Sequence, residues 1–186
     1  MPLRQLRSKL TMPVSERDHA QGPPDAPVTL VEYGDYECPY CGKAYPIIKR
    51  LQKAMGERLR FVFRNFPLNT IHAHASVAAQ AAEAAGAQGK FWEMHDILYE
   101  HQDTLADHDL HAFALKIGLE IYKFDADLSS ERFAKRVRED FQSGVRSGVN
   151  GTPTFFINDL RYDGEKDYDA LLAALDDAAS DAALQD

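Results

Sequence analysis

The chain has only two cysteines and one tryptophan in 186 residues. Two thiols three positions apart exclude a disulfide framework, which needs several spaced pairs. Basic residues are also in deficit, with 21 Lys and Arg against 29 Asp and Glu and a net charge of −8. That balance argues against a nucleic-acid binder and against insertion into or attraction to anionic membranes. No apolar run approaches the ~18 residues of a membrane span. The first nineteen positions lack the apolar core of roughly 7–15 residues found in a secretory signal. Their longest apolar stretch is Met12-Pro13-Val14. The chain as given therefore reads as cytoplasmic, with no signal peptide. No internal repeat is present. What remains is ordinary soluble composition, 45% hydrophobic and 27% charged.

The two cysteines form Cys38-Pro39-Tyr40-Cys41. Residues at i and i+3 share the first turn of a helix, where they can close a disulfide and reopen it. In a reducing compartment such a pair is catalytic or metal-binding more often than structural. Residues 28–33 are β-branched and aromatic and read as a buried strand. Residues 34–37 make a turn, and a helix begins at the cysteines, with Pro39 where a missing N–H does no harm. It runs to Met55 and stops at Gly56. A second strand covers 59–66, ahead of Pro67.

Helical patterns follow at 74–85, at 90–100 and around Leu110, Phe113, Ala114 and Ile117. A longer helix is expected from 130 to 147, with Phe133, Val137, Phe141 and Val145 on one face. Residues 154–157 form a strand, Asn158-Asp159 a tight turn, and 160–162 a hairpin partner. Tyr168, Leu171, Leu172 and Leu175 mark a last helix. Residues 1–27 read as an N-terminal arm, with a short edge strand near Leu10 to Val14, and 181–186 as an acidic, frayed tail. The order predicts an α/β domain whose mixed sheet carries helices on both faces. Its two parts, 28–67 and 129–180, flank an inserted helical subdomain at 68–128.

A thiol at a helix start faces unpaired N–H groups and the positive end of the macrodipole. In Cys-x-x-Cys motifs this lowers the pKa to roughly 3.5–7. Cys38, the outer of the pair, is the expected nucleophile, and Cys41 resolves the mixed disulfide. Pro39 and Tyr40 tune the thiolate. Glu32 lies six positions before Cys38 on the face of Val28 and Leu30. A carboxylate buried there has a raised pKa and can shuttle the Cys41 proton. The competing reading is an edge glutamate that balances Arg60 or Arg64. Thr152-Pro153, after Gly151 and before a strand, suits a cis peptide and offers the Thr152 backbone to an extended substrate. On its own it also fits a trans proline opening an edge strand.

Other constellations carry less. Cys38 and Cys41 with His72 and His74, or with His108 and His111, have the right atoms for zinc, but neither histidine pair sits in a knuckle-like turn. No metal is expected, and the histidines read as surface or cap residues. Phe91, Trp92 and Tyr99 read as core rather than as a peptide surface. Asn150-Gly151-Thr152 is rejected as a sugar acceptor. A redox-sensing, peptide-binding or chaperone-like module is the non-enzymatic alternative.

The segments Glu32 to Cys41, Phe63-Arg64-Asn65-Phe66-Pro67-Leu68, Phe91 to Asp96 and Gly151 to Ile157 together resemble the DsbA-like branch of the thioredoxin superfamily. The resemblance spans 19–179. It implies a thioredoxin fold with a helical insertion and protein disulfide oxidoreductase activity. By resemblance Cys38 is the nucleophile, Cys41 its partner, Glu32 the buried acid and Thr152-Pro153 the cis-proline loop. Periplasmic members often carry Cys-Pro-His-Cys and Val before the proline. Cys-Pro-Tyr-Cys with Thr is more like glutaredoxins and implies reductase or isomerase direction. Some close relatives occur as soluble domains fused to sodium/proton antiporters. The implied partners are thiol- or disulfide-containing proteins or peptides, with glutathione or a thioredoxin-type protein as redox partner and no cofactor.

Overall fold

Val28, Leu30 and Glu32 face one side of their strand, Val31 and Tyr33 the other, and all five are buried. A strand covered on both faces reads as a nearly continuous apolar run. In the computed structural model, which describes residues 8–183, this is the central strand β2 (Val28–Gly34). Helix α1 (Pro39–Met55) carries the chain over to β3 (Leu59–Asn65), which runs parallel to β2. Strand β4 (Thr154–Ile157) pairs antiparallel with the other edge of β2. Asn158 and Asp159 turn the chain at φ 44° and 69°, and β5 (Leu160–Tyr162) returns beside β4. Strand β1 (His19–Gln21) closes the far edge against β3, giving the order β1-β3-β2-β4-β5.

Between β3 and β4 lie α2 (Ala75–Gly86), α3 (Phe91–Glu100), α4 (Asp107–Lys116), α5 (Ile121–Ser129) and α6 (Ala134–Arg146). Helix α7 (Tyr168–Ala183) packs beside α1. The larger apolar cluster fills the space between the sheet and α1, α3 and α7. A smaller one, with Tyr33, Phe66 and Phe156, lies on the opposite face, where the Phe66 ring stacks on Phe141 of α6 at 4.3 Å. This is the mixed sheet with helices on both faces and a helical insertion that the resemblance implies.

Three local readings need correction. The helix expected from 130 to 147 starts only at Ala134, as α6, because Glu131 adopts φ 50° and keeps residues 130–133 out of it; α5 precedes it as an element not expected. The inward face of α6 is Val137, Asp140, Ser143 and Gly144, while Val145 is more than half exposed. Gly144 is there because Phe66 and Tyr33 leave no room for a Cβ. The expected edge strand at Leu10–Val14 is absent. The strand lies at His19–Gln21 instead, and near residue 10 the described residues make a single bridge, from Lys9 to Leu160.

The segment from Ser8 to Asp18 is a strap rather than a free arm. Leu10 N–H donates to the Asp159 carbonyl at 2.8 Å, and Arg161 N–H donates to the Ser8 carbonyl at 2.9 Å. Thr11 N–H donates to Ser147 Oγ, just past the end of α6, at 2.9 Å. Further on, the Arg64 guanidinium donates to the carbonyls of Met12 and Pro13 and to the Tyr33 hydroxyl. Its Nε lies 2.8 Å from Asp18 Oδ1, both side chains being buried. Burial alone would raise the Asp18 pKa, but the Arg64 bond and charge hold it below the usual value. Arg64 is thus occupied on the face away from Glu32. Residues 1–7 of the expected arm and 184–186 of the expected tail lie outside the described residues.

Candidate active site

Asp35 organises the turn between β2 and α1. Its Oδ1 accepts the Glu37 N–H at 2.8 Å, and its carbonyl accepts the Cys38 N–H at 3.1 Å. Its Oδ2 accepts the Leu68 N–H at 2.9 Å and lies 2.8 Å from His72 Nδ1. The first turn of α1 therefore starts from a fixed base, with Cys38 at the N-cap and Pro39 at the first helical position. Gln102, just beyond α3, adds a clamp. Its amide donates to the carbonyls of Tyr36 at 2.8 Å and Cys38 at 2.9 Å. The helical insertion thereby touches the reactive turn directly.

Both cysteines are reduced, Cys38 being 3% exposed and Cys41 fully buried. The Cys38 thiol is lowered to about 5. The bond from the Cys41 thiol is the main cause, burial opposes it, and the Thr152 side chain and the N–H groups of Cys41 and Tyr40 add to it. Cys41 moves the other way, pushed well up by burial, by its bond to Cys38 and by the Glu32 charge. One turn of helix thus holds a ready thiolate and a reluctant thiol.

The Thr152–Pro153 peptide is cis. In the thiol form Cys38 Sγ donates to the Thr152 carbonyl at 3.5 Å, so this loop lies against the outer sulfur. Lys166, ahead of α7, donates to the Pro153 carbonyl at 2.6 Å. Tyr40 projects into solvent, 67% exposed, with Lys43 Nζ 5.6 Å from its ring centre.

Glu32 is 2% exposed, and its Oε1 is buried without a hydrogen-bond partner. Its strand neighbours are Phe63 on β3 and Phe155 on β4. Burial first, then the nearby Cys38 charge, raises its pKa to about 8, and Lys166 pulls it back somewhat. The edge-glutamate reading fails: Glu32 is inside, and Arg64 belongs to Asp18.

The histidines considered for zinc are paired with carboxylates instead. His72 contacts Asp35, His74 contacts Glu37, His108 contacts Asp109 and His111 contacts Asp125. Among the described residues no group of three or more His, Cys, Asp or Glu is arranged to hold a metal ion. Phe91 and Tyr99 are core, with Trp92 packed against them. The structure brings Cys38, Cys41, Glu32 and Thr152-Pro153 together. It adds Asp35, Gln102 and Lys166, which sequence reasoning did not single out, and Tyr99, which it read only as core. Asp35 alone had a signal, as a carboxylate in a glycine-marked turn before a helix. The others reach the site from distant segments.

The family model described as thioredoxin matches residues 14–177. BdbD from Bacillus subtilis, in its oxidised form, superposes with a TM-score of 0.82 at 26% identity, covering 94% of this chain and 99% of that one. A thioredoxin-like oxidoreductase from Silicibacter pomeroyi gives a TM-score of 0.77 at 27% identity, over 91% and 94% of the two chains. Wolbachia pipientis α-DsbA1, at 18% identity and a TM-score of 0.80 over 95% and 97%, shares the fold. Among curated proteins, a Na(+)/H(+) antiporter NhaA 1 of Salinispora arenicola is 48% identical over 170 residues, 91% of this chain but 26% of that protein. The chain spans about a quarter of the length of the curated relatives it matches. No helix among the described residues is long and apolar enough to cross a membrane. With a thioredoxin profile over nearly its whole length and a paired thiol site at the start of α1, the chain belongs to the thioredoxin family.

Proposed function

We propose that this chain exchanges disulfides with protein or peptide thiols through Cys38 and Cys41, in the reductase or isomerase direction and in a cytoplasmic setting. The Cys38 thiolate attacks one sulfur of a substrate disulfide, and the other substrate sulfur leaves as a thiolate. Cys41 passes its proton to the ionised Glu32 and attacks Cys38, releasing the second substrate thiolate. The enzyme dithiol is oxidised by two electrons and the substrate disulfide is reduced. Thr152 presents its backbone to the extended substrate beside Cys38, and Pro39 and Tyr40 set the thiolate preference. The chemistry needs no metal or organic cofactor. Glutathione or a thioredoxin-type protein restores the dithiol.

One observation carries this reading. Two thiols on one turn are driven in opposite directions, Cys38 down to about 5 and Cys41 well up. That split makes one sulfur the attacker and leaving group and the other a nucleophile only when a base assists. A thiol near 5 stands between about 7 for thioredoxin and ~3.5 for the strongest oxidants. This supports an intermediate potential, and a reducing partner would set the reductive direction.

Insulin reduction and refolding of a scrambled protein test it. Both activities should vanish in Cys38→Ser, and Cys41→Ser should accumulate mixed disulfides. Full activity in Cys38→Ser would sink the proposal. Equilibration with glutathione buffers reads the direction, and a potential near the −120 mV of strong oxidants would reverse it.

A further inference from the structure

Cys38 is the N-cap of α1, at φ −74° and ψ 121°, and its side chain caps nothing. The direction of its sulfur therefore depends on the main chain around it. The N–H groups of Tyr40 and Cys41 help to lower the Cys38 thiol, so the sulfur must stay over them. Asp35 holds the N–H side of Cys38 through its carbonyl, at 3.1 Å. The carbonyl side is held from a distant segment. A side-chain amide has two N–H donors, and Gln102 uses both, one on the Tyr36 carbonyl at 2.8 Å and one on the Cys38 carbonyl at 2.9 Å. Gly42 N–H shares the Cys38 carbonyl at 3.0 Å. Gln102 itself stands on a fixed turn. Thr104 N–H closes that turn on the His101 carbonyl at 3.0 Å, and the His101 ring donates to the Ile97 carbonyl of α3 at 2.9 Å and lies 5.1 Å from the Phe113 ring of α4. The facing helix makes room for it. Gly42 lies inside α1 and is not among the glycines with positive φ, so its backbone alone would favour alanine. A Cβ built there runs into Cδ, Oε1 and Nε2 of Gln102.

We propose that Gln102 sets the reactivity of Cys38 from the helical insertion, by fixing the peptide planes before and after it, and that position 42 is glycine to seat the Gln102 amide. This rests on the reading of Cys38 as the attacking sulfur. Gln102 is a positioning residue, since it acts through main-chain carbonyls and not on the sulfur itself. A Cys38 peptide that rotates takes the sulfur off the N–H groups of Tyr40 and Cys41, and the thiolate loses a charge-assisted bond. Without Gln102 the Cys38 carbonyl keeps Gly42 N–H, but the Tyr36 carbonyl loses its donor. The insertion is then a working part of the reactive site, because the thiolate keeps its geometry only while α3 and the turn after it are docked on α1.

The test is a double-mutant cycle in the full chain, with wild type, Gln102→Ala, Gly42→Ala and the two together. The readouts are the Cys38 titration by thiolate absorbance, alkylation of Cys38 by iodoacetamide at pH 5, and stability in urea. Gln102→Ala should raise the Cys38 midpoint by about one pH unit, the worth of about one bond to a charged group. Alkylation at pH 5 should then fall about fivefold, as the thiolate fraction drops from about a half to about a tenth. In glutathione buffers the equilibrium should move about tenfold toward the disulfide, because the dithiol form loses that thiolate stabilisation. Gly42→Ala should raise the midpoint likewise in wild type, and destabilise it, by displacing the Gln102 amide. In the Gln102→Ala background the same change should leave the midpoint in place and stabilise the protein, as alanine does at an open helical position. Neither substitution adds or removes a charge, so a shift reads geometry. If Gln102→Ala leaves midpoint and alkylation unchanged while Cys38→Ser is inactive, the positioning role falls and Cys38 keeps its own. If Gly42→Ala moves the midpoint equally in both backgrounds, position 42 does not seat Gln102. Activity in Cys38→Ser would remove the nucleophile, and the role of Gln102 with it.

Discussion

Replacing Glu32 by Gln keeps the shape of a protonated carboxyl and removes its charge. Burial raises the Glu32 pKa in the native protein to about 8, against an ordinary value of 4.5. Between those values the folded state binds more protons than the unfolded one, so this group lowers stability as pH rises. The stabilisation is fully present below 4.5 and lost on the way to 8. The loss amounts to about 1 kcal/mol at pH 5 and ~3 kcal/mol at pH 7, at 1.36 kcal/mol per pKa unit. Glu32→Gln does not titrate. Its stability relative to wild type should therefore grow by about 2 kcal/mol between pH 5 and pH 7. The measurement is urea unfolding of both proteins across that range in the oxidised form, where neither sulfur titrates. Without the Cys38 charge the Glu32 value falls somewhat, but burial is the larger cause and remains. A difference that stays flat from pH 5 to pH 7 would refute the raised pKa and the proton-carrying role built on it.

Two other outcomes follow from the geometry. Thiolate absorbance in wild type should titrate near pH 5, and Cys41→Ser should move that midpoint, because the Cys41 thiol is the largest cause of the depression; an unmoved midpoint would assign the effect to the helix terminus alone. Asp18→Asn should destabilise the protein by about 3–5 kcal/mol in chemical unfolding, since it leaves the buried Arg64 charge without its anion, and a loss under about 1 kcal/mol would mean that Tyr33, Met12 and Pro13 suffice.

Local signals in the sequence reach most of the sheet and the reactive turn. The β-branched run at Val28, the cysteines with Pro39 behind them, and Thr152-Pro153 after Gly151 each announce their structure within a few residues. Glu32 was legible because strand alternation fixed its face. Elements without such signals were missed. Strand β1 is His-Ala-Gln, short and polar, and exists because β3 offers it an edge. Helix α5 interleaves Lys123, Asp125 and Asp127 with its apolar residues, and buried Asp127 is held by Arg132, outside the helix. Arg64 reads as a lone charge on an apolar strand because its partner lies 46 positions earlier. Gln102 and Tyr99 reach the site from α3 and its end, and no periodicity places a side chain across two segments.

The order of the strands also has a consequence for the growing chain. Strands β1, β2 and β3 are complete by Asn65, but β4, which covers the other edge of β2, begins only at Thr154. Roughly 90 residues must be made in between, which at about 5–20 residues per second takes ~5–18 s. During that time Leu30, Val31 and Tyr33 sit on an open strand edge, the kind that recruits another strand. The strap is later still at one end, since Leu10 finds the turn at Asp159 and Lys9 finds β5 only after residue 160 has emerged. A nascent chain paused inside the helical insertion is therefore the state most exposed to mispairing, and the one where a chaperone gains most by holding β2.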